Sequence, residues 1–317
     1  MIRRPPRSTL SSSSAASDVY KRQGYGTCIA QDGNGTERYN LWGNTDVRSD
    51  MSRSNIFVYI NNELANGLES FTEIGFYNSD SFLIRHPSYA FSSVKHRVGA
   101  DNYYLNQMSF TDASGDTLDF KGKQLYIDNY RYAERMRHVN VDKTTYRLLQ
   151  GFRGEVDDWD WEAALLYSKA QSDDITSNRV SNTLLKEALN DSTSAAYNPF
   201  SAGVDSNIER ILVDVYRKGS SSLAMMDFKA SNADFMELSA GSVGVMIGVE
   251  IRREEIVDDR DPRLDGTIQY VDYENDVYPE IGDVVNSSPT GDVSGERNTL
   301  SLFTEAQIPL AENVNAQ

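Results

Sequence analysis

The chain has 317 residues, 39% of them apolar, and its mean hydropathy is −0.53. No stretch approaches the roughly 20 predominantly apolar residues of a membrane-spanning helix. The formal net charge of −16 repels nucleic acid, so we expect no DNA or RNA partner.

Residues 1–23 differ in character from the rest of the chain. They carry five basic residues and one acidic residue, but they lack the apolar segment of a signal peptide. The string MIRRPPRSTLSSSSAASDVYKRQ closely resembles translated sequencing-adapter read-through. We therefore predict a non-native, disordered tail over residues 1–23 and a folded part over residues 24–317, with the natural amino terminus outside this sequence.

The stretch Arg53–Asn78 predicts a first β-hairpin. Ile56, Val58 and Ile60 alternate with aromatic and polar residues on the first arm, and the return arm alternates in the same way. Asn66-Gly67 lies between the arms and favours a two-residue turn with positive φ at both positions. Each arm covers about 9 residues, the length of a tilted strand that crosses a bilayer.

A second hairpin is predicted around Asp157-Asp158. Leu148 and Phe152 belong to the apolar face of the arm before this turn, and Trp159 and Trp161 open the arm after it. Aromatic residues at the turn end of a strand are typical of a membrane-interface belt.

A third hairpin has predicted arms near Leu223–Phe235 and Val243–Glu254, joined around Ser239-Ala240-Gly241. Its return arm has the most regular alternation in the chain, since every second residue from Val243 to Ile251 is Val or Ile. One last strand is predicted over Leu300–Ile308.

Long polar stretches separate these hairpins and predict loops. The loops are residues 79–124, 173–221 and 255–298. Within the second loop we predict two short helices, over Thr183–Leu189 and over Ser206–Tyr216, where Ser206 and Glu209 have capping-box spacing. Loops of this length usually carry function.

Short turns therefore alternate with long loops along the chain. Outer-membrane β-barrels have this asymmetry, with tight periplasmic turns and long extracellular loops. We predict an all-β fold, a partial antiparallel transmembrane β-barrel of about seven strands whose extracellular loops contain short helices. Because so few strands do not close a large barrel, we expect the chain to be truncated at both ends.

The charged residues of the predicted strands fall on the face opposite the apolar one. A charge on the lipid face costs about 2–4 kcal/mol at the midplane, so the pattern assigns the charged face to a polar lumen. The hydroxyl residues Ser70, Thr72 and Thr304 fit the lipid face least well. The lumen-facing candidates are Glu69, Glu73, Arg147, Arg153, Glu162, Glu250, Arg252 and Glu305.

Several strings resemble the middle of the barrel of a TonB-dependent outer-membrane receptor. They are SNIFVYINNELANGLESFTEIGFYNS, YRLLQGFRGEVDDWDWEAALLYSKAQSDD, AYNPFS, VGVMIGVEIRREE, DDRDPRLDG and LFTEAQIPL. The resemblance covers most of residues 24–317. It implies part of a plugged barrel of the 22-stranded type in the outer membrane of a Gram-negative bacterium.

Such a receptor takes up a scarce nutrient: an iron chelate, cobalamin or a carbohydrate. The resemblance implies three partners for the intact protein, namely outer-membrane lipid, a small-molecule ligand and the TonB energy-transducing complex. The plug domain, the TonB-contacting segment and the closing strands of the family have no counterpart in this sequence. We therefore expect the fragment alone not to transport.

Other residues suggest binding chemistry less specifically. His86, His96 and His138 could suggest metal or haem capture, but they lack close spacing, which favours solvated loop residues. The run from Asp258 to Pro262, with Asp265, has the oxygen ligands of a calcium loop, but its spacing favours a salt-bridged turn. No set of residues supplies a nucleophile, a base and an oxyanion hole, so we predict no enzyme and no cofactor.

Two other function classes stay open. A passive outer-membrane porin has the same strands and loops. A secreted, soluble β-rich binding module would instead pack its apolar faces together. Cys28, the only cysteine, is either a free thiol or half of a disulfide whose partner lies outside this chain.

Overall fold

The chain folds into one large antiparallel β-sheet with loops that pack together at one end of its strands. The computed structural model describes residues 19–21, 28–31, 37–38, 43–90, 94, 96–111, 115–127, 130–201, 205–311 and 314–316. Within these residues, no helix combines the length and the apolar composition needed to cross a membrane. Of the predicted tail, residues 19–21 are described as a strand, and the rest lies outside the described residues.

The secondary-structure elements have the following bounds. In chain order the strands are β1 (Val19–Lys21), β2 (Cys28–Gln31), β3 (Glu37–Arg38), β4 (Asp50–Glu63), β5 (Glu69–Arg85), β6 (His96–Val98), β7 (Phe110–Thr111), β8 (Thr117–Leu118), β9 (Leu125–Ile127), β10 (Arg137–Val156), β11 (Trp159–Val180), β12 (Leu212–Leu238), β13 (Gly241–Arg260), β14 (Gln269–Val271), β15 (Val277–Gly282), β16 (Val293–Ala311) and β17 (Val314–Ala316). The α-helices are α1 (Tyr103–Gln107), α2 (Asn182–Leu189) and α3 (Pro262–Asp265), and 3-10 turns cover Ala65–Gly67 and Ile208–Ile211.

Seven long strands form the large sheet. Its order is β4, β5, β10, β11, β12, β13 and β16, so each long strand pairs with the next long strand in the chain. β17 adds a short segment beside β16. The predicted all-β, antiparallel architecture with seven long strands is confirmed. We call the ends of the strands joined by short connections the turn end, and the opposite ends the loop end.

The first hairpin turn differs from the prediction. Glu63 pairs with Glu69, so five residues connect the arms, and the Leu64 N–H donates to the Leu68 carbonyl at 2.6 Å. A two-residue turn would have paired Ile56 with Tyr77, on the other face of the return arm. The longer connection pairs Ile56 with Phe76 instead, which keeps the apolar residues of both arms on one face.

The long strands extend further than the sequence pattern predicts. β11 continues to Val180 and β12 begins at Leu212, which shortens the predicted loop 173–221 to residues 181–211. Near the loop end both faces of the strands are mostly polar, so the alternation disappears while the backbone hydrogen bonds continue. The connections as observed are residues 86–136, 181–211 and 261–292.

One of the two predicted helices is correct. α2 begins after Ser181, whose side chain accepts a hydrogen bond from the Leu184 N–H. The predicted helix Ser206–Tyr216 is wrong: it is a 3-10 turn followed by β12. Pairing with β11 outweighs the helical spacing of these apolar residues, because Val215 pairs with Thr176.

The three long connections form a loop domain with its own apolar core. Among its largest fully buried side chains, Leu105 and Tyr132 come from the first connection. Leu185, Leu189 and Tyr197 come from the second connection. Val285 of the third connection joins the same cluster. The loop end of the sheet therefore carries a packed structure, in place of separate flexible loops.

A buried carboxylate joins two of these connections. Asp283 is fully buried, accepts hydrogen bonds from the Ser181 hydroxyl at 2.8 Å and the Thr183 N–H at 3.0 Å, and forms an ion pair with Arg263. The amino terminus of α2 is thereby held by a residue about a hundred positions away in the chain.

We predict that Asp283→Asn destabilises the loop domain by about 3–5 kcal/mol, because it leaves the Arg263 charge without its buried partner. Native-state hydrogen exchange at the amides of α2 measures the loss. Glu255→Gln, which removes an exposed ion pair with Arg253, is the control and is expected to have little effect. Equal exchange in the two variants would contradict the role of Asp283.

Candidate functional site

Cross-strand pairing joins the apolar faces of the seven strands into one surface, which we call the apolar band. Directly paired residues share a face of the sheet, so the register decides which side chains are neighbours. The band consists of Ile56, Val58, Ile60, Ile74, Phe76, Tyr146, Leu148, Phe152, Trp161, Ala163, Leu165, Tyr167, Ala224, Met226, Phe228, Ala230, Val245, Ile247, Val249, Ile251, Leu300, Leu302, Ala306 and Ile308.

The apolar band is the more exposed face of the sheet. Leu165 in the band is 58% exposed, whereas its neighbour Leu166, on the opposite face, is 8% exposed. Leu302 is 78% exposed. Soluble monomers rarely expose an apolar patch of more than a few hundred Å², so a band across seven strands indicates a surface that something covers.

The polar residues that lie between members of the band on the same face are uncharged. Thr72 and Gln150 are paired across β5 and β10, and the Thr72 hydroxyl donates to the Gln150 side-chain carbonyl at 2.6 Å. The Gln150 amide in turn donates to the Gly151 carbonyl at 3.1 Å. These hydrogen bonds lower the cost of placing the two polar side chains in an apolar environment.

Aromatic side chains lie at both margins of the band. At the loop end, the rings of Phe76 and Tyr146 are 5.5 Å apart. At the turn end, Trp161 stacks on Phe228 with ring centroids 6.5 Å apart, and Trp159 is placed at the predicted position beside the turn. Aromatic residues at the two margins of an apolar belt are characteristic of membrane interfaces.

The band crosses the sheet obliquely. Directly opposed residues lead from Ile56 through Phe76, Tyr146, Lys169, Ser222 and Glu255 to Glu296. On β16, however, the band begins at Leu300, four residues closer to the turn end than Glu296. Its margin thus drifts along the strands from β4 to β16, as expected when strands are inclined to the plane of the band.

The opposite face, which we call the polar face, carries all eight of the predicted lumen-facing residues. The register places Glu69, Glu73, Arg147, Arg153, Glu162, Glu250, Arg252 and Glu305 on this one face. Many of these charges pair across strands: Arg153 lies 2.7 Å from Glu69, and Arg147 lies 3.1 Å from Glu73. The face presents a ladder of ion pairs along its length.

The three histidines lie apart, in different surroundings. His86 accepts from arginines, the ring of His138 lies 5.5 Å from that of Phe82, and His96 is fully buried in the loop domain. The prediction of solvated loop histidines is therefore wrong for His96. Among the described residues, no group of His, Cys, Asp and Glu has the arrangement of a metal site.

The acidic run at the end of β13 forms the predicted salt-bridged turn. Asp258 pairs with Arg217 at 2.8 Å and with Arg260 at 3.1 Å, and these guanidinium groups lower the pKa of Asp258 to about 2. Asp261 caps α3 by accepting from the Arg263 N–H at 2.9 Å. The carboxylates of Asp258 and Asp261 are thus occupied by protein donors.

The loop domain contains a cavity that the sequence pattern did not reveal. It has a volume of about 390 Å³ and is lined by residues that include His96, Asn182, Tyr278 and Glu280. Among the described residues neither ring nitrogen of His96 has a hydrogen-bond partner, and burial lowers the pKa of His96 to about 4. Burial and contacts between distant segments create this environment. The periodicity of apolar residues in the sequence contains no information on such contacts, so the cavity was not predicted.

Comparison with known proteins finds no matching family model, no matching curated protein and no matching solved structure.

We predict that the loop domain loses stability as the pH falls from 6.5 towards 4. The unfolded chain binds a proton at His96 near pH 6.5, but the folded chain does so only near pH 4. Protonation therefore favours unfolding, by about 3 kcal/mol over this interval. Hydrogen exchange of the amides near His96 measures the change.

His96→Phe removes the titrating group and should reduce this pH dependence. His138→Gln, which changes a histidine outside the buried cluster, is the control and should retain it. An identical pH dependence in wild type and His96→Phe would contradict the prediction.

Proposed function

We propose that this chain is part of the transmembrane β-barrel of a TonB-dependent outer-membrane receptor that takes up a scarce nutrient. The observation that carries the proposal is the exposed apolar band, which crosses seven strands without a charged residue. A lipid bilayer covers such a band completely, because its hydrocarbon core is a continuous apolar phase.

The packing of the described residues supports lipid as the covering phase. The main apolar core belongs to the loop domain, and Leu166 is among the few buried apolar side chains of the sheet. A sheet in water has to bury its apolar face against another layer. Here the cross-strand hydrogen bonds are satisfied within the sheet, while the apolar side chains of the band are exposed.

The geometry of the band supports a barrel over a flat sheet. Its oblique course is that of inclined strands, and aromatic rings lie at both margins. The polar face, with its paired charges, then lines the interior. The short connections would face the periplasm, and the loop domain the outside of the cell.

The further step to TonB-dependent uptake rests on the sequence resemblance described above. Large barrels of that family enclose a plug, and a charged interior wall suits contacts with a polar plug or ligand. A passive porin shares the lipid-facing wall, and the wall alone does not select between the two. In both cases the chain contributes a barrier and a lining and performs no chemical reaction.

We predict that the full chain binds to phosphatidylcholine vesicles and floats with them in a density gradient, even after a high-salt wash. Leu302→Arg should weaken this association strongly, because a charge at the middle of the lipid face costs about 2–4 kcal/mol. Flotation of wild type and variant under the same conditions measures the effect.

Ser301→Arg is the matched control, since Ser301 is the adjacent residue and lies on the polar face opposite Glu250. It should float like wild type. Monodisperse wild-type protein in water without detergent would contradict the membrane proposal and favour the soluble binding module.

A further inference from the structure

Three arginines converge on the polar face at the loop end of the sheet. Arg85 and Arg137 are direct partners across β5 and β10, and Arg179 lies at the end of β11. All three share the face that carries the ion-pair ladder further down the strands. Unlike the arginines of that ladder, none of them forms an ion pair with a described carboxylate.

A bulge in β11 brings the third arginine to this position. The register shifts between Thr176 and Arg179, and Asn178 there adopts a left-handed conformation with φ 62°. The Asn178 amide donates to the Met136 carbonyl at 2.8 Å, which ties the bulge to the start of β10. Bulges of this kind commonly redirect a side chain towards a functional site.

Two of the guanidinium groups are held in place by neutral acceptors. Arg137 donates from Nε to the His86 carbonyl at 2.8 Å and from Nη2 to the His86 ring at 3.3 Å. Arg179 donates from Nη2 to the Val285 carbonyl at 3.4 Å. Each guanidinium has five N–H donors, so further donors are left for a ligand.

The electrostatics of the cluster is unusual for a chain of net charge −16. Burial, followed by the neighbouring charges of Arg85 and Arg131, lowers the pKa of Arg137. Burial, followed by the charge of Arg137, lowers the pKa of Arg179 to about 10. A partly buried charge normally has a counter-charge, because desolvation without one is unfavourable.

We propose that Arg85, Arg137 and Arg179 bind an oxyanion, a carboxylate or a phosphate group of an anionic ligand. Guanidinium groups match the geometry of both groups and form short, charge-assisted hydrogen bonds with them. The binding itself is independent of the membrane. Its meaning for uptake rests on the proposed function: the site would lie on the interior wall beside the loop domain and select anionic nutrients.

Isothermal titration of the full chain with sodium phosphate and with sodium citrate tests the site, at an ionic strength fixed with sodium chloride. We expect wild type to bind phosphate or citrate, or both, with a higher affinity than chloride. The anion that binds identifies the group recognised. The double variant Arg137→Gln/Arg179→Gln should lose roughly ten-fold or more in affinity, since two charged hydrogen-bonding groups are removed.

Arg253→Gln is the matched control. Arg253 is exposed on the other face and pairs with Glu255 and Glu296, so its loss should leave the affinity unchanged. Arg85→Gln provides a variant that keeps the fold, because Arg85 is exposed, and it should weaken binding several-fold. The proposal would be overturned if wild type bound phosphate and citrate no more tightly than chloride. It would also be overturned if the affinity were unchanged in both Arg137→Gln/Arg179→Gln and Arg85→Gln.

Thermal unfolding separates a ligand site from a structural role. Arg179 is a partly buried charge without an ion-pair partner among the described residues. In the absence of phosphate and citrate, Arg179→Gln should therefore melt at the same temperature as wild type or higher. Adding either anion should raise the melting temperature of wild type but not that of Arg179→Gln. A large fall in melting temperature without these anions would show that Arg179 serves stability instead. Anion binding by a chain that fails to float with vesicles would retain this site and reject the receptor.

Discussion

The register of the seven-stranded sheet is the constraint on which the rest of the structure depends. Side chains alternate between faces with a period of two, so a slip of one residue would exchange the apolar and charged sides of a strand. The five-residue connection between Glu63 and Glu69 preserves the required register where a two-residue turn would break it. Once the register is set on seven strands, the apolar band and the ion-pair ladder follow together.

The two ends of the sheet then acquire different roles. At the turn end, short connections preserve the register and aromatic side chains mark the margin of the band. At the loop end, the strands continue as polar ladders that carry the loop domain, and buried contacts such as Asp283 with Ser181 hold its connections together. The loop domain supplies its own apolar core, whereas the apolar band of the sheet is exposed. On the proposed function, the chain therefore combines a sheet whose apolar band needs lipid with a loop domain that does not.

The sequence predicted those parts of the structure that local pattern determines. Strict alternation located β13, and the register places Glu250 and Arg252 on the face opposite its apolar residues. Strand ends were missed where both faces are mostly polar, because amphipathic alternation then carries no signal. The loop core and the arginine cluster were missed because long-range contacts create them: Arg85 meets Arg137 only when β5 pairs with β10.

The central claim is that the apolar band faces lipid and the polar face lines a water-filled interior. Spin labels placed one at a time at residues 245–252 of β13, in a Cys28→Ser background in vesicles, test it most directly. We predict that labels at 245, 247, 249 and 251 are relaxed by oxygen, which concentrates in lipid, and that labels at 246, 248, 250 and 252 are relaxed by a water-soluble nickel complex. Equal access of the nickel complex to both sets of positions would contradict a lipid-facing wall.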